Sequence, residues 1–128
     1  MTMYEREIRE LLFRLGANSQ YCGFEYMMQC IEAMMQSEAA REYVKVAYVS
    51  AAAACNTDDT CVERDIRTVI ESIWRGGNQD LLEEIIGYPV TSRPKAKEFL
   101  NRLTDYVLLI NNVEMGCTVV KDERRDVK

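Results

Sequence analysis

The stretch from Asn56 to Gly77 leaves the backbone little choice. Val62, Ile66, Val69, Ile70 and Ile73 recur at helical spacing and form a single apolar stripe. Ahead of them stand Thr57 and Asp58, either of which has a side-chain oxygen able to accept the orphan amide protons of a first helical turn. Asp58 and Asp59 also bring negative charge to the positive end of the helix dipole. Gly76 and Gly77 follow the stripe and are expected to end the helix in a left-handed conformation. The spacing thus predicts a helix over about residues 58–75. Its other face carries Thr60, Arg64, Arg67, Thr68 and Glu71, and a short helix precedes it across an Asn56-Thr57 turn. That is the layout of a helix-turn-helix, whose second helix enters a DNA major groove.

An amphipathic helix of this kind needs partners to cover its stripe, and the rest of the chain supplies more helices. Ile8, Leu11, Leu12 and Leu15 predict a first helix over 3–15, stopped by Gly16, with a connector from Ala17 to Gly23. Phe24, Met27, Met28, Ile31, Met34 and Met35 give a second helix, from Phe24 to Gln36, a wide apolar face suited to core packing. Ser37 reads as the cap of a third, over 38–49, with Val44, Ala47 and Tyr48 inward. The run Ser50 to Ala54 continues that helix or follows a break, and its small side chains allow a close crossing with the helix after the turn. Asn78 caps a short helix, Gln79 to Ile86, ended by Gly87-Tyr88-Pro89. A loop with Arg93, Lys95 and Lys97 leads to a last helix over 95–112. The fold class expected is all-α, a bundle of about six helices containing a helix-turn-helix, over residues 1–115. Residues 116–128 lose periodicity and read as a charged tail.

Composition narrows the chemistry. At 48% hydrophobic and 29% charged, with two prolines, the 128-residue chain describes one globular domain. Histidine is absent, so neither a histidine base nor a histidine ligand is available. Cys22, Cys30, Cys55, Cys61 and Cys117 form no Cys-x-x-Cys pair, and they read as reduced, mostly buried thiols in a cytoplasmic protein without a signal peptide. No glycine-rich phosphate loop and no membrane-length apolar run occur. Asn56, Asp58 and Thr60 alternate like calcium ligands, but the glycine and the distal glutamate of such a loop are missing. No enzyme activity, metal, cofactor or membrane partner is expected. The net charge of −5 runs against the basic balance usual in DNA-binding domains.

The order of landmarks resembles a known family. Val62-Glu63-Arg64-Asp65-Ile66-Arg67, followed by Ile70-Glu71-Ser72-Ile73-Trp74-Arg75-Gly76-Gly77-Asn78, is similar to the C-terminal effector domain of the sporulation master response regulator, stage zero sporulation protein A. Leu15-Gly16, Gly23-Phe24-Glu25-Tyr26, Asn56-Thr57, Gly87-Tyr88 and Glu98-Phe99 agree in the same order, so the resemblance covers about residues 5–110. It implies a helical bundle that binds a short double-stranded DNA box and regulates transcription. By matching position, it implies that Glu63 and Arg64 read bases, that Arg67 is a neighbouring basic contact, and that Thr60 meets a phosphate. Arg suits the fork of acceptors on guanine, and Glu accepts from the cytosine amino group. Asn56 in the turn and Thr68 on the same helix complete the expected DNA-binding set.

The departures are equally specific. Cys61 stands where the family usually has arginine and Thr68 where it has histidine, while Asp58 and Asp59 replace small or hydroxyl residues. The family's receiver domain is absent from this sequence, which predicts a stand-alone effector domain. An alternative reading keeps the fold and loses the groove contacts. The chain is then an interaction module acting on RNA polymerase or a full-length regulator, through a surface around Gln79 to Tyr88. Homodimerisation is left open by both readings. The bland reading of the exposed charges is a set of surface ion pairs, Glu63 with Arg67 and Arg67 with Glu71.

Overall fold

The computed structural model describes residues 5–17 and 21–114, with side chains through Ile110. Among the described residues there are seven helices and no strand: α1 (Glu5–Leu15), α2 (Cys22–Gln36), α3 (Glu38–Glu42), α4 (Val44–Cys55), α5 (Asp59–Gly76), α6 (Gln79–Ile86) and α7 (Ala96–Glu114). The expected tail at 116–128, with Cys117, lies outside the described residues.

The bundle is organised around α2, which packs against α1, α3, α4, α5 and α7. Its Phe24, Met27, Met28, Ile31 and Met34 are all buried, so the methionine cluster is core and not a binding surface. The apolar stripe of α5, Val62 to Ile73, is buried as a unit, and Trp74 borders it half-exposed. α2 and α5 meet at Gly23, where a methyl group would sit 2.2 Å from the Asp65 carbonyl oxygen. That close approach explains why glycine is found inside a helix. It also corrects the expected boundary, because α2 begins at Cys22 rather than Phe24.

Two further corrections have tertiary causes. The expected third helix is two helices: Ser37 does cap one, its hydroxyl accepting from Ala40 N at 3.3 Å, but that helix stops at Glu42. Tyr43 is extended, and α4 then runs unbroken from Val44 through the alanines. The break falls beside Arg41, which donates to Asn101 Oδ1 at 2.9 Å and pairs with Asp105 at 2.5 Å, both on α7. Asn101 in turn donates to the Arg41 carbonyl at 3.0 Å. A backbone carbonyl committed to α7 has left the regular helical ladder, and the segment turns there.

The second correction concerns the end of α5. Gly76 is helical and Gly77 has φ −91° and ψ −164°, so neither is left-handed. Gly77 is instead a contact point. A methyl group on it would lie 2.1 Å from the Leu15 carbonyl oxygen, which itself accepts from Asn78 N at 3.0 Å. Among the described residues, the left-handed glycines are Gly16 (φ 103°) and Gly87 (φ 97°), which end α1 and α6.

The thiols are less buried than expected. Cys30 is fully buried and donates to the Ala47 carbonyl at 3.6 Å, with burial pushing its pKa up to about 12. Cys55 and Cys61 are half-exposed and Cys22 is exposed, all of them free. Among the described residues, no helix is long and apolar enough to cross a membrane.

Candidate nucleic-acid interface

The junction between α4 and α5 is built by residues next to one another in sequence. Asn56 ends α4 in the left-handed conformation, φ 60° and ψ 48°. Asparagine tolerates that conformation better than most residues with a Cβ. Thr57 N donates to the Ala52 carbonyl at 2.9 Å, closing the turn. Asp58 is the N-cap of α5: its Oδ1 accepts from Cys61 N at 2.9 Å and from the Thr60 hydroxyl at 2.5 Å. Those bonds, Thr60 first and the Cys61 amide next, hold the Asp58 carboxyl below the usual carboxylate range. Ala47, Ala51 and Ala52 of α4 are buried, and α4 packs against both α2 and α5.

This frame sets the six expected residues on one exposed surface. Asn56 is exposed in the turn, and Thr60, Glu63, Arg64, Arg67 and Thr68 are exposed along α5. Each side chain on the helix has a local partner. Arg67 pairs with Glu63 at 3.4 Å, and Arg64 Nε donates to Asp65 Oδ1 at 3.3 Å. The Asp65 contact raises the pKa of Arg64, which stays charged at any relevant pH. The Thr68 hydroxyl donates to the Arg64 carbonyl at 3.2 Å, one turn back. The expected pairing of Arg67 with Glu71 is not formed. Glu71 is held instead by Arg75, and by Arg93 Nη1 at 2.7 Å from the loop before α7.

Sequence reading missed Lys45 on this surface and, for Arg93 of the basic loop, its tether to Glu71. Lys45 on α4 pairs with Asp59 at 3.2 Å, across the helix junction. With these two included, Lys45, Arg64, Arg67, Arg75 and Arg93 stand against Asp58, Asp59, Glu63, Asp65 and Glu71. The surface is therefore balanced in charge, whereas α5 taken alone is acidic. The helical period around Lys45 was the available signal, but it gives no register between two helices.

On α6, within the surface the alternative reading invokes, two acids are engaged by other parts of the chain. Glu83 accepts from Val90 N at 3.0 Å, and Glu84 accepts from the Tyr106 hydroxyl at 2.8 Å, so both fasten the α6–α7 connection. Of the basic loop residues, Arg93 is tethered to Glu71 while Lys95 is exposed. Among the described residues, no group of three or more His, Cys, Asp or Glu side chains gathers as a metal site.

The family model described as "Sporulation initiation factor Spo0A C terminal" matches residues 8–107, from α1 into α7. Domains of that family are DNA-binding effector domains of a sporulation regulator, regulatory and not catalytic. A match that runs from within α1 to within α7, with a helix-turn-helix inside it, places the chain among them: it belongs to the sporulation initiation factor Spo0A C-terminal family.

Proposed function

We propose that this chain is a sequence-specific DNA-binding transcription regulator that reads the major groove with α5. The observation that carries the reading is the exposed face Thr60, Glu63, Arg64, Arg67 and Thr68, on a helix whose opposite face, Val62 to Ile73, is buried in the core. In this reading Arg64 forks onto guanine O6 and N7, Glu63 accepts from a cytosine amino group, and Arg67 extends the basic contact. Asn56, Thr60 and Thr68 serve the adjoining phosphates, with Thr60 exchanging its bond to Asp58 for one to a phosphate oxygen. The local ion pairs keep the long side chains ordered near the helix and are weak enough to exchange, at a few tenths of a kcal/mol each.

The test is a gel-shift salt titration with a duplex carrying a box of this family. Binding should weaken linearly in log salt, and Arg64→Ala should lose about 1–3 kcal/mol with relaxed preference at one position. Saturating protein that leaves the box unshifted at low salt ends the reading.

The alternative, an interaction module acting through protein partners, draws on one observation. Tyr43, Val46 and Val49 form an exposed apolar row at and along α4, with 62%, 41% and 52% of their surfaces accessible. The first helix of a helix-turn-helix crosses the phosphate backbone, where apolar side chains contribute little. Co-purification of a regulator or of RNA polymerase with a wild-type chain that shifts no duplex, lost in a folded Val46→Asp variant, selects this reading.

A further inference from the structure

Glu63, Arg67, Glu71 and Arg75 lie four residues apart on α5 and so run along one edge of the helix. The first two form a pair of their own, at 3.4 Å. Glu71 does something different, because it joins two arginines from different parts of the chain. Arg75 Nε donates to Glu71 Oε2 from one turn further along α5, and Arg93 Nη1 donates to Oε1 at 2.7 Å from the loop after α6. Those two bonds hold the Glu71 carboxyl below the usual range, Arg75 contributing first, so the bridge stays ionised at neutral pH.

The loop that delivers Arg93 is itself shaped. Val90 N is fixed to Glu83, the Tyr88 hydroxyl donates to Glu98 on α7, and Pro94 is buried. Between these anchors lies an open cavity of about 220 Å³ flanked by Ser92, Arg93 and Lys95. Arg75 and Arg93 remain exposed, at 77% and 46% of their side-chain surface. A guanidinium has five N–H donors, so a bond to Glu71 leaves each arginine with donors for a second acceptor.

We propose that Arg75 and Arg93, tied together by Glu71, form a phosphate clamp at the C-terminal end of α5, with Glu71 as its positioning residue. The proposal rests on α5 lying in the major groove. Eight residues separate Glu63 from Glu71, which is about 12 Å along the helix axis at 1.5 Å per residue. The major groove of B-form DNA is about 12 Å wide. With the N-terminal half of α5 over the base edges, the Glu71 end arrives at a wall of the groove, where phosphates are. A carboxylate shared by two arginines leaves a net positive charge there. It also orders two flexible side chains before DNA arrives, lowering the entropy lost on binding.

Gel-shift salt titrations with the family box and a scrambled duplex of equal length test the clamp, with thermal unfolding as a check that each variant is folded. Arg93→Ala should weaken binding to both duplexes by the same factor, about tenfold at moderate salt. It should also shallow the log–log salt slope by about 0.9, leaving the preference for the box unchanged. Arg75→Ala should behave alike. The deciding variant is Glu71→Ala. Removing a carboxylate near DNA would by charge alone strengthen binding, whereas loss of a positioning residue weakens it and shallows the slope. Combined with Arg93→Ala, it should add little, since both act through one contact. Affinity of Glu71→Ala equal to or above wild type, or an unchanged slope in Arg93→Ala, overturns the clamp while wild-type binding stands. A wild-type protein that shifts neither duplex overturns the groove reading beneath it.

Discussion

At its N-terminal end α5 is held by its own neighbours: Asn56 turns the chain, Asp58 caps the helix, and Thr60 and Cys61 donate to that cap. At its C-terminal end it is held by distant parts of the molecule. Gly77 lies against the Leu15 carbonyl at the end of α1, and Glu71 is gripped by Arg93 from beyond α6. Local construction tolerates substitution, because a cap or a turn has several chemical solutions. Construction by close backbone approach has one solution, and any added atom must displace main chain. The acids also gather at the first end and the surplus arginine at the second, so the two ends carry charge of opposite sign.

The largest effect should come from the C-terminal end. A methyl group at Gly77 would sit 2.1 Å from Leu15 O and 2.7 Å from Ile73 O, both backbone atoms that cannot swing aside. Gly77→Ala should therefore destabilise the fold by about 3 kcal/mol or more in denaturant titrations. The neighbouring Gly76 is helical, has no positive φ, and has nothing within 4 Å of a new methyl group. Gly76→Ala should stabilise by about 0.5–1 kcal/mol through the unfolded chain's lost freedom. Equal responses at the two glycines would break the distinction between the ends of the helix.

These two glycines also show where the sequence was legible. The caps Ser37 and Asn78 could be read because a cap bonds two or three residues ahead, and each makes that bond; for α5 the sequence left Thr57 or Asp58, and the bond is made by Asp58. The apolar stripes of α1, α2, α5 and α6 could be read because burial follows helical period. The exposed row on α5 is the outer face of such a stripe and was legible with it. Gly76-Gly77 was misread because the pair looks like a left-handed stop, while its cause is a carbonyl far back in the chain. The break at Tyr43 was missed for the same reason, since Arg41 answers to Asn101 and Asp105 on α7. Lys45 and Arg93, which balance the acids of α5, belong to other elements. A single sequence holds no register between elements to reveal their pairings with Glu71 and Asp59.

The N-terminal end should respond more mildly. Asn56 occupies the left-handed region at φ 60°, where a Cβ crowds the following carbonyl. Asn56→Ala should cost about 1 kcal/mol, and Asn56→Gly should fall within a few tenths of wild type. A cost for Asn56→Gly as large as that for alanine would mean that the side chain, and not the conformation, holds the turn.

Smaller still is the effect expected from the acids at the N-terminal end of α5 in the proposed complex. Asp59 neutralises Lys45 at 3.2 Å across the α4–α5 junction. Asp59→Asn removes a repulsive charge and releases Lys45 to meet DNA. Affinity for box and scrambled duplexes alike should rise several-fold, with the salt slope steeper by up to about 0.9. An unchanged slope would place Lys45 off the DNA and confine the contact to α5 and its C-terminal clamp.

The finest test separates the Asp58 cap from its charge. Hydrogen bonds from Thr60 and the Cys61 amide lower its pKa in the folded state, so the ionised form is favoured by folding. The sign follows directly: the contribution is complete above the unfolded value of about 4 and fades as pH falls through the lower folded value. The melting temperature of Asp58→Ala should thus lie below wild type by a constant margin from neutral pH to about pH 5, and the margin should narrow below about pH 4. Asp58→Ser keeps a capping oxygen that does not titrate, so its margin against Asp58→Ala should hold steady over the same range. A wild-type margin over alanine that is equally flat would mean that the cap works through its neutral hydrogen-bond geometry. The acidic end of α5 would then owe its position to shape alone, and the opposite charges of the two ends would matter only when DNA is present.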